Sequence, residues 1–187
     1  MPSSPNALPM NSHTAASLSE AENESDRTVE VLEELLAQSI HLRDLYKNAR
    51  WQTANHEYRH LRQVLDGHYR EQVHLVDVLI DRIRALDGAD RVFAHDFLQH
   101  DQVSQILRGR TSITGLLSEL IDAHELVLST AQPAATNEGI TDHAWARDFA
   151  VGQVVLTNDL QILAISQQLM DRERRLQTHA TWVTRLE

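Results

Sequence analysis

Four stretches of the chain place their apolar residues three and four positions apart, the spacing that gathers them on one side of an α-helix. In the first, over 29–54, they are Val29, Leu32, Leu35, Leu36, Ile40, Leu42, Leu45 and Tyr46, with no Gly or Pro between them. After a break at Asn55 the second runs from about 57 to 86 through Tyr58, Leu61, Leu65, Val73, Val76, Leu79, Ile80, Ile83 and Leu86, interrupted only by Gly67 and closed by Gly88. At the helical rise per residue it is about 45 Å long. The third opens at Ser112, a suitable N-cap, and continues through Ile113, Leu116, Leu117, Leu120, Ile121, His124, Leu126, Val127 and Leu128 to about Ala131, where Pro133 is expected to stop it. A turn-rich segment over 133–141 follows. The fourth, capped by Thr141 or Asp142, extends to about Arg175 with Trp145, Phe149, Val154, Val155, Leu160, Leu163, Ile165 and Leu169 as its expected buried stripe. Between the second and third, a weaker amphipathic stretch around Phe93, Phe97, Val103, Ile106 and Leu107 reads as a short crossover helix. No alternating apolar–polar run competes, so the chain reads as all-α.

Composition sharpens the outline. Residues 1–28 are rich in Ser, Asn, Ala and Pro, carry four carboxylates against one arginine, and read as a disordered acidic tail. The domain expectation is therefore a tail over 1–28, one bundle over 29–175, and a C-terminal extension over 176–187. The chain contains no cysteine, which excludes disulfides, thiolate metal sites and thiol nucleophiles and points to a reducing, cytoplasmic setting. The first residues lack the basic and apolar regions of a secretory signal, and no uninterrupted apolar run is long enough to span a membrane, so no membrane partner is expected.

The net charge of −10 opposes DNA binding, whose affinity comes largely from cations displacing counterions. Sixteen arginines and one lysine, Lys47, are scattered among carboxylates rather than gathered. The C-terminal arginines at 172, 174, 175 and 185 are mixed with Asp171, Glu173 and Glu187. Eleven histidines would cancel part of the negative charge near pH 6. DNA binding is expected to be weak or absent at neutral pH.

Two long helices, a long connection carrying a short helix, and two more long helices match the ferritin-like route to an antiparallel four-helix bundle. A series of ordered residues adds to this. Trp51 ends the first helix; Asn55 and Tyr58 occupy a turn; Leu65-Asp66-Gly67 follows; then come Asp77, Asp81-Arg82, and an ending at Leu86 to Gly88. This series resembles the Dps family of mini-ferritins, in which a His-Trp pair, a Gly-x-x-Phe turn, a second His, an acidic pair and an Asp-x-x-x-Glu-Arg stretch keep the same spacing. The motif covers about 45 residues; the architecture covers about 29–175. The resemblance implies iron binding and storage, protection against starvation or oxidative stress, and a homo-oligomer, a dodecamer built from two-fold dimers. It also implies a ferroxidase centre shared across the two-fold contact.

The departures from the family pattern fall on that centre. Arg50 and Arg62 stand where the resemblance would place the two histidine ligands, and a guanidinium, protonated at any working pH, has no lone pair for a metal. The carboxylates Asp66, Asp77 and Asp81 fall on one helical face. The sharp expectation is that Arg50 and Arg62 replace iron with a salt-bridge cluster among those carboxylates across the subunit interface, since two guanidinium forks bring the charge of one ferrous ion. A relocated iron or zinc site of His74, Asp77 and Asp81 is the alternative chemistry. The plain alternative is that all these charges line a solvated face. His56-x-x-x-His60 and Glu71-x-x-His74 carry metal-site spacings that also arise by chance in a histidine-rich helix. Trp51 and Tyr58 are expected to pack in the core or at an interface, and Glu119 and Asp122 are candidates for an ion-entry pore or simply for solvent. Three function classes follow: an iron-sequestering shell with impaired or relocated ferroxidase activity, a non-catalytic structural member of the same fold, or a bundle that serves an unrelated partner or forms only dimers.

Overall fold

The computed structural model describes residues 12–87, 112–136 and 144–183, with side chains placed over 26–87, 112–135 and 149–177. Four helices carry it: α1 over Ser12–Gln52, α2 over Arg59–Asp87, α3 over Ile113–Thr136 and α4 over Ala144–Val183. A single 3-10 turn at His56–Tyr58 joins α1 to α2. Among the described residues there is no strand. The expected crossover helix over 89–110, the loop tip and caps at 137–143, and residues 1–11 lie outside the described residues.

Three boundaries differ from the sequence expectation, each for a local reason. Helix α1 reaches back to Ser12, so the acidic segment before Val29 is helical over most of its length rather than disordered. No Gly or Pro lies between Ser12 and Gln52, and once a helix is nucleated each further residue costs little. Helix α3 passes through Pro133 and ends at Thr136. A proline so near a helix end forfeits one backbone bond, with little helix left beyond it to disrupt. Helix α4 continues beyond Arg175 to Val183, absorbing much of the expected C-terminal extension. The start of α3 agrees with expectation, since the Gly115 amide donates to Ser112 Oγ at 3.0 Å.

The chain leaves α1 through Thr53, which is buried and donates through Oγ1 to the Ala49 carbonyl at 2.9 Å. Asn55 then takes extended backbone, φ −70° and ψ 151°, so no glycine is required at this turn. The α1–α2 and α3–α4 pairs pack side by side, α1 lies against α3 and α2 against α4, with the α2–α4 edge the loosest of the four. Leu32, Leu35, Leu36 and Leu42 from α1, Leu65, Leu75, Leu79 and Ile83 from α2, Leu117 and Leu120 from α3, and Val154 and Ile165 from α4 are fully enclosed. Burying each such side chain is worth about 2 kcal/mol.

Not every apolar position expected in the core is there. Phe149, Leu160 and Leu163 of α4 and Leu126 of α3 are more than half exposed, because Ala150, Val151, Val154 and Ile165 form the inward face of α4 instead. The stretch 149–177 is also long and apolar enough to cross a membrane on length and composition alone. It is not an unbroken apolar run, because Asn158, Asp159 and Gln161 interrupt it.

Candidate functional site

The α1–α2 hairpin brings the last turn of α1 beside the early turns of α2, which sets Arg50 against Asp66. Their Nε and Oδ1 atoms form an ion pair. Both atoms are withdrawn from solvent, although each side chain as a whole keeps about 30% exposure. The guanidinium also lies over the Tyr69 ring, 4.7 Å from its centroid. Asp66 therefore has a cation against it already, held in place by an aromatic plate one helical turn along.

The remaining residues singled out in the sequence are not gathered with this pair in the single chain. Arg62, His74, Asp77 and Asp81 are all exposed on α2. Among the described residues, no three His, Asp or Glu side chains converge as a metal-holding group. This holds for His74 with Asp77 and Asp81 as for Asp66. Trp51 is 55% exposed and so outside the core of the single chain, with the Lys47 ammonium 5.7 Å from its ring centroid. Tyr58 is half-buried under Arg172 of α4, whose Nη2 donates to the tyrosine oxygen at 3.3 Å. His56, His60, Glu119 and Asp122 are exposed.

A second polar constellation, which the sequence reading did not pick out, runs through the middle of the bundle and takes residues from all four helices. The Asn158 amide Nδ2 donates to the Val154 carbonyl at 2.7 Å, which fixes its orientation and turns Oδ1 inward as an acceptor. His124 Nδ1 lies 2.7 Å from that oxygen and must carry the proton. Its Nε2 is then an acceptor for the Tyr46 hydroxyl at 2.6 Å. The tyrosine oxygen in turn accepts from His68 Nδ1 at 3.1 Å, leaving His68 Nε2 with an unused lone pair. On the other side, Gln72 Nε2 donates to Gln161 Oε1 at 2.9 Å, and Gln161 Nε2 donates to Glu71 Oε2 at 2.7 Å.

Every proton in this chain of bonds is assigned without placing a charge in the core. Burial pushes His124 down to about 4, with the Asn158 hydrogen bond opposing and His68 reinforcing the shift. Burial likewise lowers His68, against the pull of Glu71, and raises Tyr46 well above the ordinary phenol value, with Glu71 adding to the effect. Tyr46, His124, Gln72, Asn158 and Gln161 are thus neutral hydrogen-bonding residues at core positions. The signal in the sequence was present: His124 sits in the α3 apolar stripe, and Asn158 and Gln161 fall four and seven residues after Val154 on the inward face of α4.

The loose α2–α4 edge opens into a pocket of about 440 Å³ lined by His68, Arg70, Glu71, His74 and, from α4, Gln153, Thr157, Leu160 and Gln161. The candidate donors on its wall are His68, Glu71 and His74, all on α2. One carboxylate oxygen of Glu71 is already engaged by Gln161.

Comparison with known proteins places this architecture. Residues 29–144 match the family model described as a ferritin-like domain. An uncharacterised protein encoded in the bpoA2 5′ region of Kitasatospora aureofaciens is 32% identical over 108 residues, which cover 56% of this chain and 70% of that protein. An uncharacterised low temperature-induced protein of Nostoc sp. is 24% identical over 111 residues, covering 59% of this chain and 62% of its own length, a little under two thirds. Among solved structures, DpsC from Streptomyces coelicolor superimposes with a TM-score of 0.62 at 28% identity, over 76% of this chain and 83% of that one. A dodecameric thioferritin from Bacteroides fragilis superimposes with a TM-score of 0.64 over 82% of this chain and 90% of its own, at 13% identity, a likeness of fold alone.

Proposed function

Since this chain belongs to the ferritin-like domain family, as a Dps mini-ferritin, we propose that it is a homo-oligomeric iron-sequestering protein whose inherited ferroxidase position holds arginine in place of metal. The observation that carries this reading is the Arg50–Asp66 pair. At the position the family motif gives to a histidine ligand, a guanidinium is ion-paired with the carboxylate that would face the iron. Adding a ferrous ion there would set a dication beside a fixed cation, and Arg50 could not move away without giving up both Asp66 and the Tyr69 ring. The residues present do not fit the family's metal.

The rest of the acidic face supports a role in contact rather than catalysis. Arg62, Asp77 and Asp81 are exposed in the single chain, where a second copy can supply the opposite charge. In a two-fold dimer Arg62 would pair with carboxylates of the partner subunit, fixing the geometry of association more than adding stability, because desolvation offsets most of the Coulomb gain. The likeness to Dps proteins and to a dodecameric thioferritin supports reading this chain as a dodecameric shell in the cytoplasm that serves stress protection by sequestering iron. The low lysine content and the net charge of −10 favour a shell that leaves DNA alone.

The test is aerobic oxidation of ferrous iron, followed optically, with the purified oligomer, with buffer, and with Asp77→Ala. The expected result is a wild-type rate near that of buffer, unchanged by the substitution. Rapid oxidation that Asp77→Ala abolishes would overturn the reading, and would point to a relocated centre using His74, Asp77 and Asp81.

A further inference from the structure

The pocket at the α2–α4 edge takes no part in the proposed iron chemistry, and the chain of hydrogen bonds through the core decides what it offers a ligand. Asn158 Oδ1 accepts from His124 Nδ1, and His124 Nε2 accepts from the Tyr46 hydroxyl. The tyrosine oxygen can then only receive from His68 Nδ1. His68 is thereby held as the tautomer whose Nε2 carries a bare lone pair. This residue lines the pocket, and burial favours its neutral ring against the opposing charge of Glu71. The core network thus ends at the pocket in an acceptor.

Glu71, one turn along α2, lines the same pocket. Its Oε2 accepts from Gln161 Nε2 at 2.7 Å, which ties the carboxylate to α4 and leaves Oε1 for a ligand. Among the described residues no cation forms an ion pair with it. Arg70 is the next residue on α2, but successive side chains diverge by about 100° around a helix, and it is exposed. The chain's one lysine, Lys47, lies on α1 over the Trp51 ring. From α4, Thr157 adds a hydroxyl to the lining, and Leu75 of α2 and the 59% exposed Leu160 add apolar surface. The core next to the pocket lacks a donor as well, since Gln72 Oε1 is buried with no partner.

We propose that the α2–α4 pocket binds a small aliphatic primary ammonium ion, its –NH3+ group held by Glu71 and His68 and its hydrocarbon part lying on Leu75 and Leu160. An ammonium group brings one positive charge and three donors, which answer the Glu71 carboxylate, His68 Nε2 and the Thr157 hydroxyl. A divalent metal suits the pocket less well. No three His, Asp or Glu side chains converge among the described residues, Glu71 is the one carboxylate in the lining, and the Arg70 guanidinium shares that lining. A small anion would meet the Glu71 charge instead of cancelling it. At about 440 Å³ the pocket falls within the size range of small-molecule sites, about 300–1,000 Å³.

The test is calorimetric titration of the full-length protein at neutral pH with n-pentylammonium chloride. Tetramethylammonium has the same charge without N–H donors, and n-pentanol has the same hydrocarbon without charge. Pentylammonium should bind saturably with a Kd of about 1 mM or tighter, and both comparison compounds at least ~10-fold more weakly. Glu71→Gln, which keeps the hydrogen bond to Gln161 but not the charge, should weaken pentylammonium at least ~10-fold with helix content unchanged by circular dichroism. Arg70→Gln should bind as well as the wild type or better. Equal binding of tetramethylammonium would overturn the proposal, as would undiminished binding by a folded Glu71→Gln. Zinc chloride binding that depends on Glu71, with no binding of pentylammonium, would overturn it by assigning the pocket to a metal. Binding of pentanoate that Arg70→Gln removes would overturn it in favour of an anion. The comparison of compounds on the wild type decides the matter even where a variant fails to fold. Arg50 and Asp66 lie between α1 and α2, so none of these outcomes alters the reading of that pair.

Discussion

Protonation of His124 should dismantle the core from within as the pH falls. The imidazole is fully buried, donates to Asn158 and accepts from Tyr46, and a second proton on Nε2 would turn the tyrosine oxygen into an acceptor and deprive the hydroxyl proton of the acceptor it has now. Its folded value, about 4, lies below the 6.5 of an exposed histidine. The unfolded chain therefore takes up the proton first. The stabilisation this provides is complete above pH 6.5 and is lost progressively between 6.5 and about 4. At about 1.4 kcal/mol per pH unit, the full window is worth about 3 kcal/mol, a large share of the 5–15 kcal/mol that holds most domains folded. His68, also lowered by burial, adds in the same direction. The assay is urea denaturation at fixed protein concentration from pH 7.5 to 4, comparing the wild type with His124→Gln, which keeps a polar group but cannot titrate. The wild type should lose about 3 kcal/mol more than the variant across the window. Parallel pH profiles for the two proteins would refute the assignment of a neutral, doubly bonded His124.

Other outcomes follow from the same geometry. Tyr46→Phe removes the shared hydroxyl and leaves His124 Nε2 and His68 Nδ1 without their partner, so a loss of about 2–4 kcal/mol in denaturant unfolding is expected, with helix content retained. Leu79→Ala, at a fully enclosed site, should cost about 2–5 kcal/mol. Arg50→Lys keeps the charge but loses the planar fork and its stacking on Tyr69, and should cost about 1 kcal/mol or less, since the pair is partly solvated. A gel-shift titration of plasmid at low salt and pH 7.5 should show no retardation below micromolar protein; retardation there would contradict the charge argument.

How much of this was written in the sequence varies with the physics. The bundle was legible because a helix announces its buried side through a period of three and four, and α2 and α3 begin and run much as that period implies. Helix ends were read less well. Compositional polarity suggested disorder before Val29, but α1 runs back to Ser12 with no Gly or Pro to break it, and a proline one turn from a helix end does not stop α3. The motif marked the positions and charges of Arg50 and Asp66, but it implied a cluster across a subunit contact, and the pair the structure shows lies within one chain, between α1 and α2. The burial of α4 was misread because two apolar faces share the helix: Ala150, Val151 and Val154 point inward, while the larger Leu156, Leu160 and Leu163 point outward. Size suggested the wrong face. The central network stayed hidden because glutamine and asparagine look like surface residues until three other helices close over Gln72, Asn158 and Gln161.

The claim at the centre of the account is that a guanidinium, not iron, occupies the inherited metal position, and anaerobic calorimetric titration with ferrous iron tests it most directly. The wild-type oligomer should bind no tight iron at that position, so Asp66→Asn should leave its isotherm unchanged, while Arg50→His with Arg62→His should gain a new class of tight sites dependent on Asp66. Tight stoichiometric binding by the wild type that Asp66→Asn removes would contradict the account.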